Sequence, residues 1–299
     1  MRHNRRMGKK NKHDHESQPT EPLSTLLRLP TGPVDLGSLD PRATTGFQGD
    51  KDDAPAITKS LAPELGDLQE RLFAAGRVSE DNTRRILIVL QGMDTSGKGG
   101  VIRHAIGMVD PQGVKIKAFK APTRAERAHS YLWRIERELP PPGMIGIFDR
   151  SHYEDVLVVR VHNLVTESVW SKRYDEINGW EQGLVDEGIV LIKCFLHISS
   201  DEQKERLLAR LDDPTKHWKY NPGDVDERAK WPAYMEAYRA VLERCNTDHA
   251  PWYVIPADRK WYRNWAVAQL LVEHLRALDL SWPTADFDVE EEKKRVAAS

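Results

Sequence analysis

The chain has 299 residues, of which 30% are charged and 39% hydrophobic, with a formal net charge of -2 at pH 7. That balance excludes a global basic field drawing the protein to nucleic acid or to an anionic membrane, so any polyanion site must be built by local clustering. Two cysteines, Cys194 and Cys245, exclude a disulfide framework and point to a reducing cytoplasm; the first residues lack a signal-peptide core, and no apolar run reaches the length of a membrane span.

Residues 1–45 read as a solvated extension. Arg2, Arg5, Arg6, Lys9, Lys10 and Lys12 crowd its start, and the rest is rich in Pro, Gly, Thr and Asp with no aromatic residue. The folded domain is expected over 46–282, with a first helix over 62–75 whose Leu65, Leu68, Leu72 and Phe73 share one face. Residues 85–91, Arg-Ile-Leu-Ile-Val-Leu-Gln, form the apolar, β-branched run of a strand buried on both sides. Gly92-Met-Asp-Thr-Ser-Gly-Lys-Gly-Gly100 follows, and Val101, Ile102, Ala105, Ile106 and Val109 then repeat at helical spacing.

Strand, glycine loop and helix are the setting that a phosphate-binding P-loop requires. Gly92, Gly97 and Lys98 match G-x-x-x-x-G-K, and the backbone around Thr95, Ser96, Gly97, Gly99 and Gly100 is expected to curl around an anion. The helix start adds a partial positive charge and Lys98 a full one. The Ser or Thr that usually follows the lysine, and ligates magnesium, is replaced by Gly99. Asp94, an anionic oxygen ligand inside the loop, is the natural substitute.

Residues 113–119 alternate as a second strand. Thr123 and Glu126 make a capping box opening a helix with Ala128, Tyr131, Leu132 and Ile135 on its buried side, ended by Pro140, Pro141 and Pro142. A third strand over 144–148 delivers Asp149 and Arg150. Helices over 153–162 and 167–186, and a nearly all-apolar fourth strand over 189–196, come next. A charged helix over 201–210 runs into a stretch broken by Pro214, Pro222 and Gly223, which reads as a lid spanning about 206–230. A helix over 232–244, a fifth strand over 252–255 and a last helix over 261–278 complete the domain. Trp261 and Trp265 in that last helix are core, and 283–299 form a charged tail. The alternation defines an α/β fold: a parallel five-stranded sheet with helices on both faces and ligands at the C-terminal strand ends.

A P-loop lysine beside an aspartate closing a second apolar strand is how phosphoryl-transfer proteins hold phosphates and magnesium, so Asp94 and Asp149 are the expected metal ligands. The remaining players should be cations. Arg150 follows the aspartate directly. Arg206 and Arg210, one turn apart at the base of the lid, read either as transition-state cations or as a solvated helix face. Lys115, Lys117, Lys120, Arg124 and Arg127 cluster around the end of the second strand as a basic rim.

Four stretches, 92–100, Phe148-Asp-Arg-Ser-His-Tyr-Glu-Asp155, Lys216-His-Trp-Lys219 and 250–264, occur in order and resemble the polyphosphate kinase type 2 family. The resemblance runs from about residue 47 to 280. It implies a thymidylate-kinase-like P-loop kinase fold with a lid, magnesium dependence, a homo-oligomer, and phosphoryl transfer between inorganic polyphosphate and AMP, ADP or ATP, with GMP and GDP as further candidates. The family's P-loop lysine and aspartate fall on Lys98 and Asp94, its second-strand acid on Asp149, the adjacent arginine on Arg150, and its lid arginine on Arg210 or Arg206. Glu154 would help to define the nucleotide pocket. Residues 151–155 are similar to those of the AMP-accepting members, whereas Asp149 and Gly99 stand where such members often carry Asn and Asp. Two other readings fit a P-loop: an ATP-dependent nucleoside monophosphate kinase, and a nucleotide-binding switch that does not turn over.

Overall fold

Aliphatic and β-branched runs make up the strands of the computed structural model, which describes residues 21–78 and 83–299. β1 (Arg85–Gln91), β2 (Val114–Ala118), β3 (Ile145–Asp149), β4 (Ile189–His197) and β5 (Trp252–Pro256) form one sheet in the order β2-β3-β1-β4-β5. Every pairing is parallel. β1 is central, and its residues from Ile86 onward are buried because helices cover both faces. One layer contains the helices Ala62–Val78, Lys98–His104 and Lys260–Ala277; the other contains Arg173–Asp186 and Trp231–Arg244. The helix Lys260–Ala277 is buried along most of its length; Trp265 is core as its spacing predicts, whereas Trp261, one turn earlier, is only half-buried against it.

Register brings the chemistry to one edge. Leu90 lies opposite both Asp149 of β3 and Cys194 of β4, so β1 and β3 end side by side. The Arg150 N–H donates to the Leu90 carbonyl at 3.1 Å, which fastens the residue after β3 to the strand that leads into the glycine loop.

Several expectations are corrected. Of the proposed extension, residues 1–20 lie outside the described residues, but 21–45 are laid against the domain. Leu23, Leu27, Leu29 and Val34 are buried, and the Leu23 and Ser24 amides donate to the Glu273 carboxylate at 3.0 and 2.8 Å. The segment also bridges β5 in antiparallel sense: Leu29 N–H donates to Trp252 O at 2.8 Å and Val254 N–H to Leu27 O at 3.0 Å. An edge strand otherwise left open is thereby covered.

The helix expected from Thr123 is broken. Its capping box forms, with Glu126 N–H donating to Thr123 Oγ1 at 3.2 Å and Thr123 N–H to Glu126 Oε2 at 2.6 Å, but it closes only the turn Glu126–Ala128 before the short helix Trp133–Glu136. Ala128 is exposed and Tyr131 and Leu132 only half-buried, so too little apolar surface is buried to hold a long helix. The charged tail is also partly ordered: Asp288 accepts from the Glu290 and Glu291 amides and caps an exposed helix, Val289–Ala297.

Candidate functional site

The glycine loop leaves β1 at Gly92 and re-enters regular structure at Lys98. The Lys98 ammonium is buried and turned back onto the loop, donating to the Gly92 carbonyl at 2.9 Å. Asp94 points across to β3, where its carboxylate accepts from Arg150 Nη2 at 2.9 Å, and Arg150 also lies 3.8 Å from Glu154. Thr95 and Arg150 both occupy left-handed backbone conformations, with φ of 65° and 64°. For side-chain-bearing residues that geometry costs about 1–3 kcal/mol each, and it persists only where the surroundings impose it.

The turn after Arg150 explains how it is imposed. Along His152–Asp155, Arg150 and Glu154 face outward while His152 and Tyr153 face inward and are wholly buried. Inside, the Lys193 ammonium pairs with Glu181 at 2.6 Å and donates to the Tyr153 hydroxyl at 3.0 Å and the Cys245 carbonyl at 2.7 Å. The Tyr153 hydroxyl donates to Glu181 at 2.7 Å, and His152 Nε2 lies 3.1 Å from the same carboxylate. The Gln91 amide, turned so that its NH2 donates to Glu154 at 3.1 Å, accepts from Ser151 Oγ at 2.9 Å. A buried polar network therefore grips one side of the turn and presents the other.

Opposite charges set the electrostatics. Burial opposes the charge of Arg150, but Glu154 and Asp94, with Asp149 beyond them, raise its pKa above the ordinary arginine value. Burial raises the Glu154 carboxyl, while Arg150 and Lys98 act to keep it ionised. Lys98, Asp94, Asp149, Arg150 and Glu154 thus act on one another at one sheet edge.

That edge opens into a cleft of about 430 Å³ with Asp94, Arg150 and Glu154 on its floor. His162, Tyr234 and Tyr238 supply a wall, and Asn221, Asp224 and Glu227 overhang it from the stretch after the helix Ser200–Leu211. Arg210 reaches this overhang, donating to the Lys219 carbonyl at 2.9 Å and lying 3.4 Å from Asp224. Arg206 does not reach the cleft. It is buried beneath the loop and donates to the Thr95 and Ala257 carbonyls at 2.8 and 2.6 Å, because the inward face of an amphipathic helix is where position 206 falls. Between the two arginines left open by the sequence, only Arg210 contacts a residue that lines the cleft.

The basic rim is only partly assembled. Lys115 and Lys117 share Glu138, at 3.4 and 2.6 Å, and so are spent on their own strand. Lys120, Arg124 and Arg127 are exposed beyond β2 and do not line the cleft. The sequence analysis assigned no role to Tyr234, Tyr238, Asp224 or Glu227, because tyrosines four apart on a helix and acids in a stretch of mixed charge carry no local signal that sets them beside a cleft. It also assigned no role to Arg263, although this residue lies inside the recognisable stretch at 250–264.

Among the described residues no three His, Cys, Asp or Glu side chains form a metal cage. Asp94 lines the cleft and Asp149 closes β3 directly before Arg150, so two hard oxygen donors belong to this edge, the donor type magnesium takes when phosphates and water complete its shell. Among the described residues, no helix is long and apolar enough to cross a membrane.

A parallel sheet with a P-loop on its central strand, an acid closing the next strand and a cleft at their shared edge define a kinase-like P-loop phosphotransferase. The family profile described as Polyphosphate kinase 2 (PPK2) matches residues 50–281, and the chain belongs to that family. It is 47% identical over 254 residues to the AMP/ADP-polyphosphate phosphotransferase of Meiothermus ruber, covering 85% of this chain and 93% of that protein. It is 39% identical over 262 residues to the ADP-polyphosphate phosphotransferase of Rhodopseudomonas palustris, covering 84% and 88%. The crystal structure of polyphosphate kinase 2 from Arthrobacter aurescens superposes with a TM-score of 0.91 at 48% identity, over 95% of this chain and 99% of that one.

Proposed function

We propose that the protein transfers phosphoryl groups between inorganic polyphosphate and adenine nucleotides, converting AMP to ADP and ADP to ATP. The observation that carries this reading is the convergence of Lys98, Asp94, Asp149 and Arg150 at one sheet edge, beside a cleft able to hold a nucleotide. A terminal phosphate oxygen of the nucleotide is already an anionic nucleophile, so no general base is required. It attacks the terminal phosphorus of the polyphosphate, the bridging P–O bond breaks, and the shortened chain leaves with the electron pair. Lys98 exchanges the Gly92 carbonyl for the transferring group, and Arg150 offsets charge from the β3 side. Of the stretch 206–230 expected as a lid, the part beyond the anchored Arg206 acts as the lid, with Arg210 carried toward the transferring phosphate as it closes. Asp94 and Asp149 would hold Mg2+, which when bound neutralises and orients the phosphates. Glu154, as an acceptor on the floor, and Tyr234 and Tyr238 on the wall would face the nucleoside. Lys120, Arg124 and Arg127 are left to track the distal chain.

We also propose a cytoplasmic homo-oligomer. Cys194 and Cys245 are free and buried, as a reducing compartment permits, and Ile116 and Val169 remain exposed as apolar surface for a partner subunit. The test is product formation from AMP, ADP, GMP and GDP with long-chain polyphosphate and Mg2+. ADP from AMP and ATP from ADP are expected. Turnover with ATP plus a nucleoside monophosphate, but none with polyphosphate, would overturn the reading.

A further inference from the structure

Arg263 enters the P-loop from outside. It stands in the first turn of the helix Lys260–Ala277, is 3% exposed, and pairs with no carboxylate within salt-bridge distance among the described residues. Its Nη1 donates to the Ser96 carbonyl at 3.0 Å, and its Nε and Nη2 donate to Asn264 Oδ1 at 3.2 and 2.8 Å. Arg206 adds a second donor to that carbonyl at 3.2 Å.

The loop's glycines are shaped to this approach. A Cβ on Gly97 would lie 1.7 Å from Arg263 Nη1, and one on Gly100 would lie 2.5 Å from Nη2. Two glycines of the phosphate-loop motif thus make room for a guanidinium.

Peptide planarity turns this grip into function. In a trans peptide the carbonyl and the following N–H point in opposite directions. With the Ser96 carbonyl drawn toward Arg263, the Gly97 N–H must face away, into the cradle, and neither it nor the Lys98 N–H meets a backbone carbonyl among the described residues. The guanidinium is also under-compensated: burial, with Arg206 next to it, outweighs the more distant Glu202 and lowers its pKa, and an anion across the loop would offset that cost.

We infer that Arg263 is a positioning residue for the phosphoryl donor, fixing the P-loop amides toward the polyphosphate end through the Ser96 carbonyl. The inference rests on the reaction proposed above and assigns to Arg263 the donor half of it, not the nucleotide half.

Calorimetric titration of the full chain with tripolyphosphate and, separately, with AMP tests the assignment. Arg263→Met should weaken tripolyphosphate binding about ten- to a hundredfold, the scale of one charge-assisted hydrogen bond, and change AMP affinity less than about twofold. The Michaelis constant for polyphosphate should rise while that for AMP holds. Arg263→Lys, which keeps the charge without the two-sided reach, should recover part of the loss; it also serves as the test variant if Arg263→Met fails to fold. Equal weakening of both ligands, or of neither, overturns the inference. Wild-type protein that neither binds tripolyphosphate nor turns over polyphosphate would overturn the reaction itself, whereas an active wild type with an indifferent Arg263→Met would sink only the role of Arg263.

Discussion

Lys193→Met is the most exacting test of how the site is held. Lys193 and Glu181 are both 0% exposed and 2.6 Å apart, and all three ammonium donors are used, on Glu181, Tyr153 and Cys245. Replacing the lysine leaves Glu181 buried with only Tyr153 and His152 for support. Removing one partner of such a pair costs about 3–5 kcal/mol. At about 2 °C per kcal/mol for a domain of this size, the thermal midpoint should fall by roughly 6–10 °C. The loss should depend on pH. In the wild type, burial opposes ionisation of Glu181, but Lys193 and His152 outweigh it and hold its pKa below the ordinary value. The pair therefore contributes stability that is present above the ordinary glutamate range and lost as pH falls through the depressed folded pKa. Without Lys193 burial dominates and the sign reverses, so the deficit of the variant should shrink on acidification. Lys193→Met/Glu181→Met should recover most of the stability, since neither charge is then left alone. Because His152 and Tyr153 lie between Arg150 and Glu154, the single variant should also lose turnover. Calorimetric melts from about pH 3 to 8 read all of this, because the wild-type loss falls below the ordinary glutamate value. A single-variant cost under about 1 kcal/mol, or a double variant no better than the single, would show that the network does not carry the load assigned to it.

Other changes probe separate links. Leu23→Ala should cost about 2–4 kcal/mol in urea unfolding if residues 21–45 belong to the core, and almost nothing if they do not. Glu154→Gln removes a carboxyl whose pKa burial raises; the wild type loses that stability as pH rises through the raised value, so the variant should gain in relative thermal midpoint above about pH 4.5 while losing activity. Gly99→Ser should be neutral or stabilising by a few tenths of a kcal/mol, because a Cβ there meets nothing within 4 Å and serine is the better helix former; a loss above about 1 kcal/mol would refute this.

What the residues disclosed in advance was governed by locality. Strands such as Ile189–His197 were legible because one continuous apolar run has one burial solution, and the P-loop because its chemistry is contiguous. The packing of 21–45 was not legible: four apolar residues in a Pro- and Gly-rich stretch look solvated until the open edge of β5 and the Glu273 carboxylate, about 250 positions away, supply partners. Arg206 and Arg210 were indistinguishable for a related reason. One turn of helix separates them, but which one meets the loop and which meets the cleft depends on how that helix docks, a tertiary fact without a local signature. The long helix from Thr123 failed in the opposite direction, since a correct cap does not make a helix when the face that follows has nothing to pack on.

The charge of the cleft makes a final demand on the chemistry. Asp94, Glu154, Asp224 and Glu227 line it, against the Arg150 guanidinium. Arg150 is already shared between Asp94 and Glu154, and Asp224 is near Arg210. Two phosphate chains cannot meet in such a space on the strength of side-chain cations alone, and carboxylates that repel phosphate are useful only if they share a cation with it. Asp149→Asn, which keeps the size and a neutral oxygen but removes one of the two proposed anionic ligands, should therefore raise the Mg2+ concentration for half-maximal rate by about tenfold or more, on the scale by which weakened metal sites lose affinity. Excess Mg2+ should restore much of the rate, which a variant damaged in folding would not allow. Titrating Mg2+ at saturating AMP and polyphosphate measures the effect, and an unchanged half-maximal concentration would remove Asp149 from the ion's shell.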